Sequence, residues 1–168
     1  MKITSRDNKF LELVNQNKGI LYRISRLYGE TEADREDLLQ EILLNLWKGF
    51  ASFRNESKFS TWMYRIALNT CITAYRKSSK KFSTLSVQEK HNQIADKHDN
   101  PDYHEEISLL YLAISKLDKL EKAIIILYLE ERSYEEIAEI TGITPNHAGV
   151  KISRIKSKLK QFLNNENI

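Results

Sequence analysis

The chain has 168 residues, room for one domain or two small ones at about 100–200 residues each. Apolar residues at 41 % and charged residues at 29 % exclude a disordered or fibrous chain, and 5 Gly with 2 Pro are too few to punctuate a sandwich or barrel. The net charge of +3 is too small to point to any partner by itself, but its distribution, taken up below, is uneven.

Phe10, Leu13, Val14, Leu21, Ile24, Leu27 and Tyr28 recur at helical spacing, with a break expected at Gly19. Asp34 is read as the cap of a following helix, on which Leu38, Leu39, Ile42, Leu43, Leu46 and Trp47 cover one broad arc. Asp34, Asp37 and Glu41 stand at i, i+3 and i+7 and share a face beside that arc. A polar loop from Phe50 to Ser60 carries Phe53 and Phe59, and a third helix is expected from Ser60 or Thr61 to about Lys77, burying Trp62, Ile66 and Ile72. From Ser78 to His104 the pattern fades and includes the turn signal Asn100-Pro101. Residues 81–105 are assigned to a flexible linker.

Beyond it, Ile107–Lys116 and Lys119–Glu130 are apolar with a helical period. The run Ala123–Leu129 has the composition of a buried strand, but its polar flanks and lack of a pairing partner favour a helix. Ser133 caps Tyr134–Thr141 and forms a capping box with Glu136. Gly142 marks a sharp turn, Ile143 follows inward, and Thr144 caps a last helix with Pro145 at its first position. There Ala148, Ile152, Ile155, Leu159 and Phe162 form a buried stripe, and Ala138 permits a close helix approach. A short helix, a glycine turn and a second helix with a basic outer face make a helix-turn-helix. The fold class expected is all-α: two small helical modules joined by a flexible linker, the C-terminal one a helix-turn-helix.

Charge is segregated along these elements. Glu30–Glu41 holds six carboxylates against Arg35 alone, Lys58–Lys81 holds six bases and no acid, and Gly142–Leu163 holds five bases and no acid. One such run is often just a solvated face; two acid-free runs on patterned helices point to a polyanion, and the acidic block to a separate basic partner. Phe59, Trp62, Tyr64, Arg65 and Asn69 gather aromatic faces, an amide and a cation in one segment, the groups that hold an unstacked base and its phosphate. Trp62 and Phe59 would serve equally as core residues. On the last helix His147, Lys151, Arg154 and Lys158 make a polar stripe beside Asn146, Val150 and Ser153, with base-edge and phosphate contacts both open.

Other chemistry is weakly signalled. One Cys closes no intramolecular disulfide, and Cys71 is expected to be buried rather than reactive. The start MKITSRDNKF lacks an apolar leader core, and no apolar run reaches the ~18 residues of a membrane helix, so a soluble, cytoplasmic protein is expected. His91, His98 and His104 with Asp96, Asp99 and Asp102 have no metal-ligand spacing, so no metal and no cofactor is assigned. The acidic trio also has readings as a solvated face or as a divalent-ion site of a helical nuclease. Without a phosphate loop, nucleophile elbow or catalytic carboxylate pair, no enzyme is expected.

The segments Asp34–Ile42 (DREDLLQEI), Phe53–Asn69 (FRNESKFSTWMYRIALN) and Ser133–Ala138 (SYEEIA), in that order, resemble bacterial RNA polymerase sigma factors of the sigma-70 family. The small size and two modules resemble its extracytoplasmic-function (ECF) group, and the likeness covers about residues 10–77 and 106–163. It implies a protein that binds core RNA polymerase, recognises the minus-thirty-five and minus-ten promoter elements and nucleates strand opening. Sigma region 2 would occupy residues 1–80 and region 4 residues 106–168. The resemblance implies docking on the clamp helices of the largest polymerase subunit through Asp34, Asp37, Leu38, Gln40 and Glu41. It implies minus-ten DNA contacts from Phe53, Lys58, Phe59, Thr61, Trp62, Tyr64, Arg65, Asn69 and Arg76. Minus-thirty-five contacts would come from Thr144, Asn146, His147, Lys151, Ser153, Arg154 and Lys158. An anti-sigma factor is implied as a further partner. Ala148 and Gly149 depart from the Val and then Lys usual early in the family's recognition helix, which bears on the promoter sequence rather than the fold. The alternative is a free-standing helix-turn-helix regulator, which leaves residues 53–77 and the acidic helix without a role.

Overall fold

The computed structural model describes the backbone of residues 5–81 and 101–166 and the side chains of residues 5–74 and 107–165. The assigned linker lies mostly outside these residues, as do the side chains of Arg76 and of the His/Asp group at 91–104. The described residues form eight helices, and the chain divides into two units, Met1–Glu89 and Lys90–Ile168.

The first unit contains α1 (Ser5–Gln16), α2 (Lys18–Tyr28), α3 (Glu32–Phe50) and α4 (Phe59–Lys81). The break between α1 and α2 falls at Asn17, not Gly19. The Asn17 side-chain amide donates to the Leu13 carbonyl at 2.8 Å, satisfying an acceptor that the helix end would leave bare. Asp34 does not cap α3; Thr31 does. Thr31 Oγ1 accepts from the Asp34 N–H at 3.1 Å and Asp34 Oδ2 accepts from the Thr31 N–H at 2.9 Å, so the acid is the third residue of a capping box.

Ile20, Leu21 and Ile24 of α2, Ile42 and Leu46 of α3, and Met63, Tyr64, Ala67, Leu68 and Cys71 of α4 are buried together with Phe10 and Val14 of α1. The inward face of α4 is therefore Met63, Tyr64, Ala67, Leu68 and Cys71, and the expected Trp62, Ile66 and Ile72 are half-buried beside it. The α3–α4 crossing explains the difference. A Cβ on Gly49 would stand 3.1 Å from Trp62 Cζ2 and 3.3 Å from Ile66 Cδ1, so the bare backbone of α3 admits those side chains at its flank. Asn45 Nδ2 donates to the buried Thr70 hydroxyl at 3.0 Å, which itself donates to the Ile66 carbonyl at 2.8 Å.

The second unit contains α5 (Pro101–Ser115), α6 (Lys119–Leu129), α7 (Tyr134–Thr141) and α8 (Pro145–Glu166). Pro101 opens α5 rather than marking a linker turn, since a missing N–H costs nothing in the first turn. All five residues from Ala123 to Leu127 are buried, so α6 is apolar on every side there; this is why its composition imitates a strand. Asp118 with Glu121 and Ser133 with Glu136 form capping boxes on α6 and α7. Gly142 takes φ 75°, a left-handed value that favours glycine, and its N–H closes on the Ala138 carbonyl at 2.9 Å. Thr144 Oγ1 accepts from the His147 N–H at 3.2 Å and starts α8. Ala148, Ile152, Ile155 and Leu159 are buried, but Phe162 is 37 % exposed.

Candidate nucleic-acid and polymerase interfaces

The loop between α3 and α4 turns back on itself. The Ser52 N–H donates to the Gly49 carbonyl at 3.0 Å, the Trp62 N–H donates to the Lys58 carbonyl at 3.1 Å, and Asn55 adopts φ 58°. This closure gathers four rings. Phe53 and Trp62 lie 4.9 Å apart between centroids, Phe59 and Trp62 5.4 Å, and Phe53 and Phe59 5.6 Å with planes at 80°. Phe50 stands behind them, its centroid 6.3 Å from Phe53 and 5.2 Å from Phe10. Phe53, Phe59 and Trp62 are half-buried, so each ring packs while keeping some surface, and Lys58, Arg65 and Asn69 are exposed on the same segment. The segment thus brings π surface, two cations and an amide to one place. Thr61 and Tyr64 do not belong to that surface: they are 2 % and 0 % exposed and face inward on α4, so neither has area to give a base. Phe50 also belongs to this cluster, and its place three residues before Phe53 is the signal for it in the sequence.

On α3, Asp37 and Gln40 are exposed and Leu38 and Glu41 half-buried. Asp34 shares their face, but its carboxylate also accepts from the Thr31 hydroxyl at 2.7 Å and is committed to the cap. Leu44, outside the expected apolar arc, is 50 % exposed, and Trp47, which the arc included, is 38 % exposed, so both add exposed apolar area on this helix. Trp47 meets Phe10 edge-on at 5.1 Å, and the Arg6 guanidinium lies 5.5 Å from its ring. Burial, with the Glu41 carboxylate as a smaller cause, pushes the Cys71 thiol up to about 12, so it stays protonated and unreactive at neutral pH. Among the described residues no three His, Cys, Asp or Glu side chains converge as metal ligands.

On α8, Asn146, His147, Val150, Ser153, Arg154 and Ser157 are exposed, opposite the buried stripe. Lys151 is half-buried at the edge of that face. Lys158 is drawn away from it: Nζ binds Glu121 Oε1, while Glu121 Oε2 accepts from the Asp118 N–H at 3.2 Å. Lys156 similarly leans on α6, with Nζ 2.6 Å from the Tyr128 hydroxyl and 4.2 Å from the ring centroid. Sequence spacing grouped Lys158 with Arg154 because it could not register the buried carboxylate on a distant helix.

A left-handed glycine between two capped helices over a common apolar stripe is helix-turn-helix geometry, and here it accompanies an aromatic–basic loop in the other unit. Residues 13–81 match Sigma-70 region 2, and residues 107–159 match Sigma-70, region 4. The RNA polymerase sigma factor YlaC of Bacillus subtilis is 31 % identical over 132 residues, covering 75 % of each chain. The chain belongs to the sigma-70 family of RNA polymerase sigma factors. Relatives named as ECF sigma factors are among those it resembles: ECF RNA polymerase sigma factor SigW of Bacillus subtilis is 29 % identical over 166 residues, covering 92 % of this chain and 88 % of SigW. RNA polymerase sigma factor SigV of Bacillus subtilis is 28 % identical over 160 residues, covering 92 % of this chain and 91 % of SigV. The sigma factor RpoE of Bartonella quintana, solved in complex with the anti-sigma factor NepR, shares the fold with a TM-score of 0.77 at 20 % identity, covering 93 % of this chain and 97 % of RpoE. As a sigma factor the chain binds core RNA polymerase and promoter DNA and directs transcription initiation, within a family of non-enzymatic initiation factors. No described helix is long and apolar enough to cross a membrane.

Proposed function

We propose that the two units divide promoter recognition by the chemistry of their surfaces. Region 2, assigned to residues 1–80, docks on the clamp helices of the largest polymerase subunit through Asp37, Leu38, Gln40 and Glu41, with Asp34 holding the start of α3. The carrying observation is the half-buried shell of Phe53, Phe59 and Trp62 over Phe50, flanked by exposed Lys58, Arg65 and Asn69. Such a shell offers a stacking face to a base leaving the duplex, and the cations hold its phosphate. Thr61 and Tyr64 support this surface from beneath, and Arg76 extends the basic run of α4.

Region 4, assigned to residues 106–168, presents α8 to the major groove of the minus-thirty-five element. Asn146, His147, Lys151, Ser153 and Arg154 supply contacts, Thr144 sets the helix start, and Lys158 positions α8 through Glu121. The chain acts in the cytoplasm without covalent catalysis. An anti-sigma factor is a further partner in this reading, supported by the likeness to RpoE, which was solved in complex with the anti-sigma factor NepR. Reconstitution tests the assignment. Purified chain with core polymerase should give promoter-specific transcripts, and Asn69→Ala should abolish permanganate reactivity of minus-ten thymines while leaving the closed complex in place. Equal loss of both signals would remove Asn69 from the opening step. A free-standing regulator would instead bind duplex operators tightly without core enzyme.

A further inference from the structure

Val150 is the one apolar residue at the centre of an otherwise polar reading face. It is 43 % exposed. It stands two residues from both Ala148 and Ile152, about 200° around the helix from each, and so points opposite the buried stripe. Its neighbours one turn away, Asn146, His147, Ser153 and Arg154, are all polar and exposed. Gly149 next to it has no side chain, and the Tyr134 ring covers that place, where an added Cβ would be 3.2 Å from Cε2. Lys156 and Lys158 lean on α6. The middle of the face is therefore left to two methyl groups held by a β-branched side chain with one strongly preferred helical rotamer.

The one projecting apolar group in the major groove is the C5-methyl of thymine; the other groups that tell base pairs apart there are donors or acceptors. Docked against such an edge, Val150 would strip water from a polar group and return no hydrogen bond. Against a thymine methyl it buries apolar area on both partners. We propose that Val150 is a specificity-determining residue that reads a thymine methyl in the minus-thirty-five element. This inference rests on the assignment of α8 as the reader of that element.

The test separates the two. Holoenzyme reconstituted from the full chain first selects promoters from a library randomised across the upstream element. Failure to select any upstream sequence overturns the assignment of α8, and the inference with it. The selected promoter is then synthesised with each upstream thymine replaced in turn by deoxyuridine, which removes only the methyl. Binding by the wild-type holoenzyme should fall about fourfold at one position. There 5-methylcytosine should be tolerated better than cytosine, and the Val150→Ala holoenzyme should not distinguish thymine from uracil. A selected element without thymine, indifference of the wild type to every uracil, or unchanged uracil sensitivity in Val150→Ala would each overturn the thymine contact while leaving α8 as the reader.

Discussion

The two surfaces proposed to meet DNA are built on opposite plans. In the second unit, core and reading face are separate: Ala148, Ile152, Ile155 and Leu159 face inward and Asn146, Val150, Ser153 and Arg154 face outward on one capped helix. In the first unit they are the same atoms, since Phe53, Phe59 and Trp62 pack on Phe50 with one side and keep the other open. A duplex edge is read by a rigid rod whose contacts can change without touching its core. A base taken out of the stack needs aromatic area, and aromatic area left without support is costly in water, so it is borrowed from the core's rim. Coupling of stability to function should therefore be strong in the first unit and weak in the second.

The largest effect should lie outside both DNA surfaces and calibrate them. Asp37→Lys/Glu41→Lys should abolish co-purification with core polymerase, with a melting curve close to wild type because Asp37 is exposed and Glu41 half-buried. Retained co-purification would move the docking surface elsewhere on the unit. Next, Trp62→Ala should lose promoter opening and also destabilise the first unit by about 3 kcal/mol, the lower end for a large aromatic because the ring is only half-buried. Loss of opening with an unchanged urea midpoint would break the comparison, since it would separate function from packing at that ring.

In the second unit, Arg154→Ala should cost about 1–3 kcal/mol of binding at one minus-thirty-five position and leave thermal stability unchanged. A uniform loss over all promoter variants would make Arg154 a phosphate contact instead. Lys158→Ala should act the other way, lowering the second unit's stability by about 1 kcal/mol through loss of its half-exposed ion pair with Glu121. The slope of binding against salt should stay constant, whereas a phosphate contact would lower it by about one.

The last effect is confined to alkaline pH and vanishes at neutrality. Because the Cys71 thiol is held protonated to about 12 against an ordinary value of 9.0, the folded chain binds a proton the unfolded chain releases between those values. Stability is therefore whole below pH 9 and declines as pH rises toward 12. Denaturation of wild type and Cys71→Ala from pH 8 to 11 should show a steeper alkaline loss in the wild type, and parallel curves would remove the thiol as the cause.

What could be read directly from sequence followed locality. The capping box Ser133–Glu136, the Gly142 turn, the Thr144–Pro145 start and the stripe from Ala148 to Leu159 are interactions within four residues or repeats of one helical period, so adjacent residue types determine them. The same rule explains the difference at α3: Thr31 rather than Asp34 is its cap, because both ends of this capping box are cap-forming types and only the backbone angle separates them. Tertiary structure decided the rest. It turned Thr61 and Tyr64 inward, left Trp62 half-open beside Gly49, and brought Phe10, Phe50, Phe53 and Phe59 into one shell. It also drew Lys158 to Glu121 across 37 positions of chain. Sequence periodicity tells which residues of a helix share a face; which face the neighbouring helices cover, and which charge finds a buried partner, depends on contacts between segments far apart in the chain.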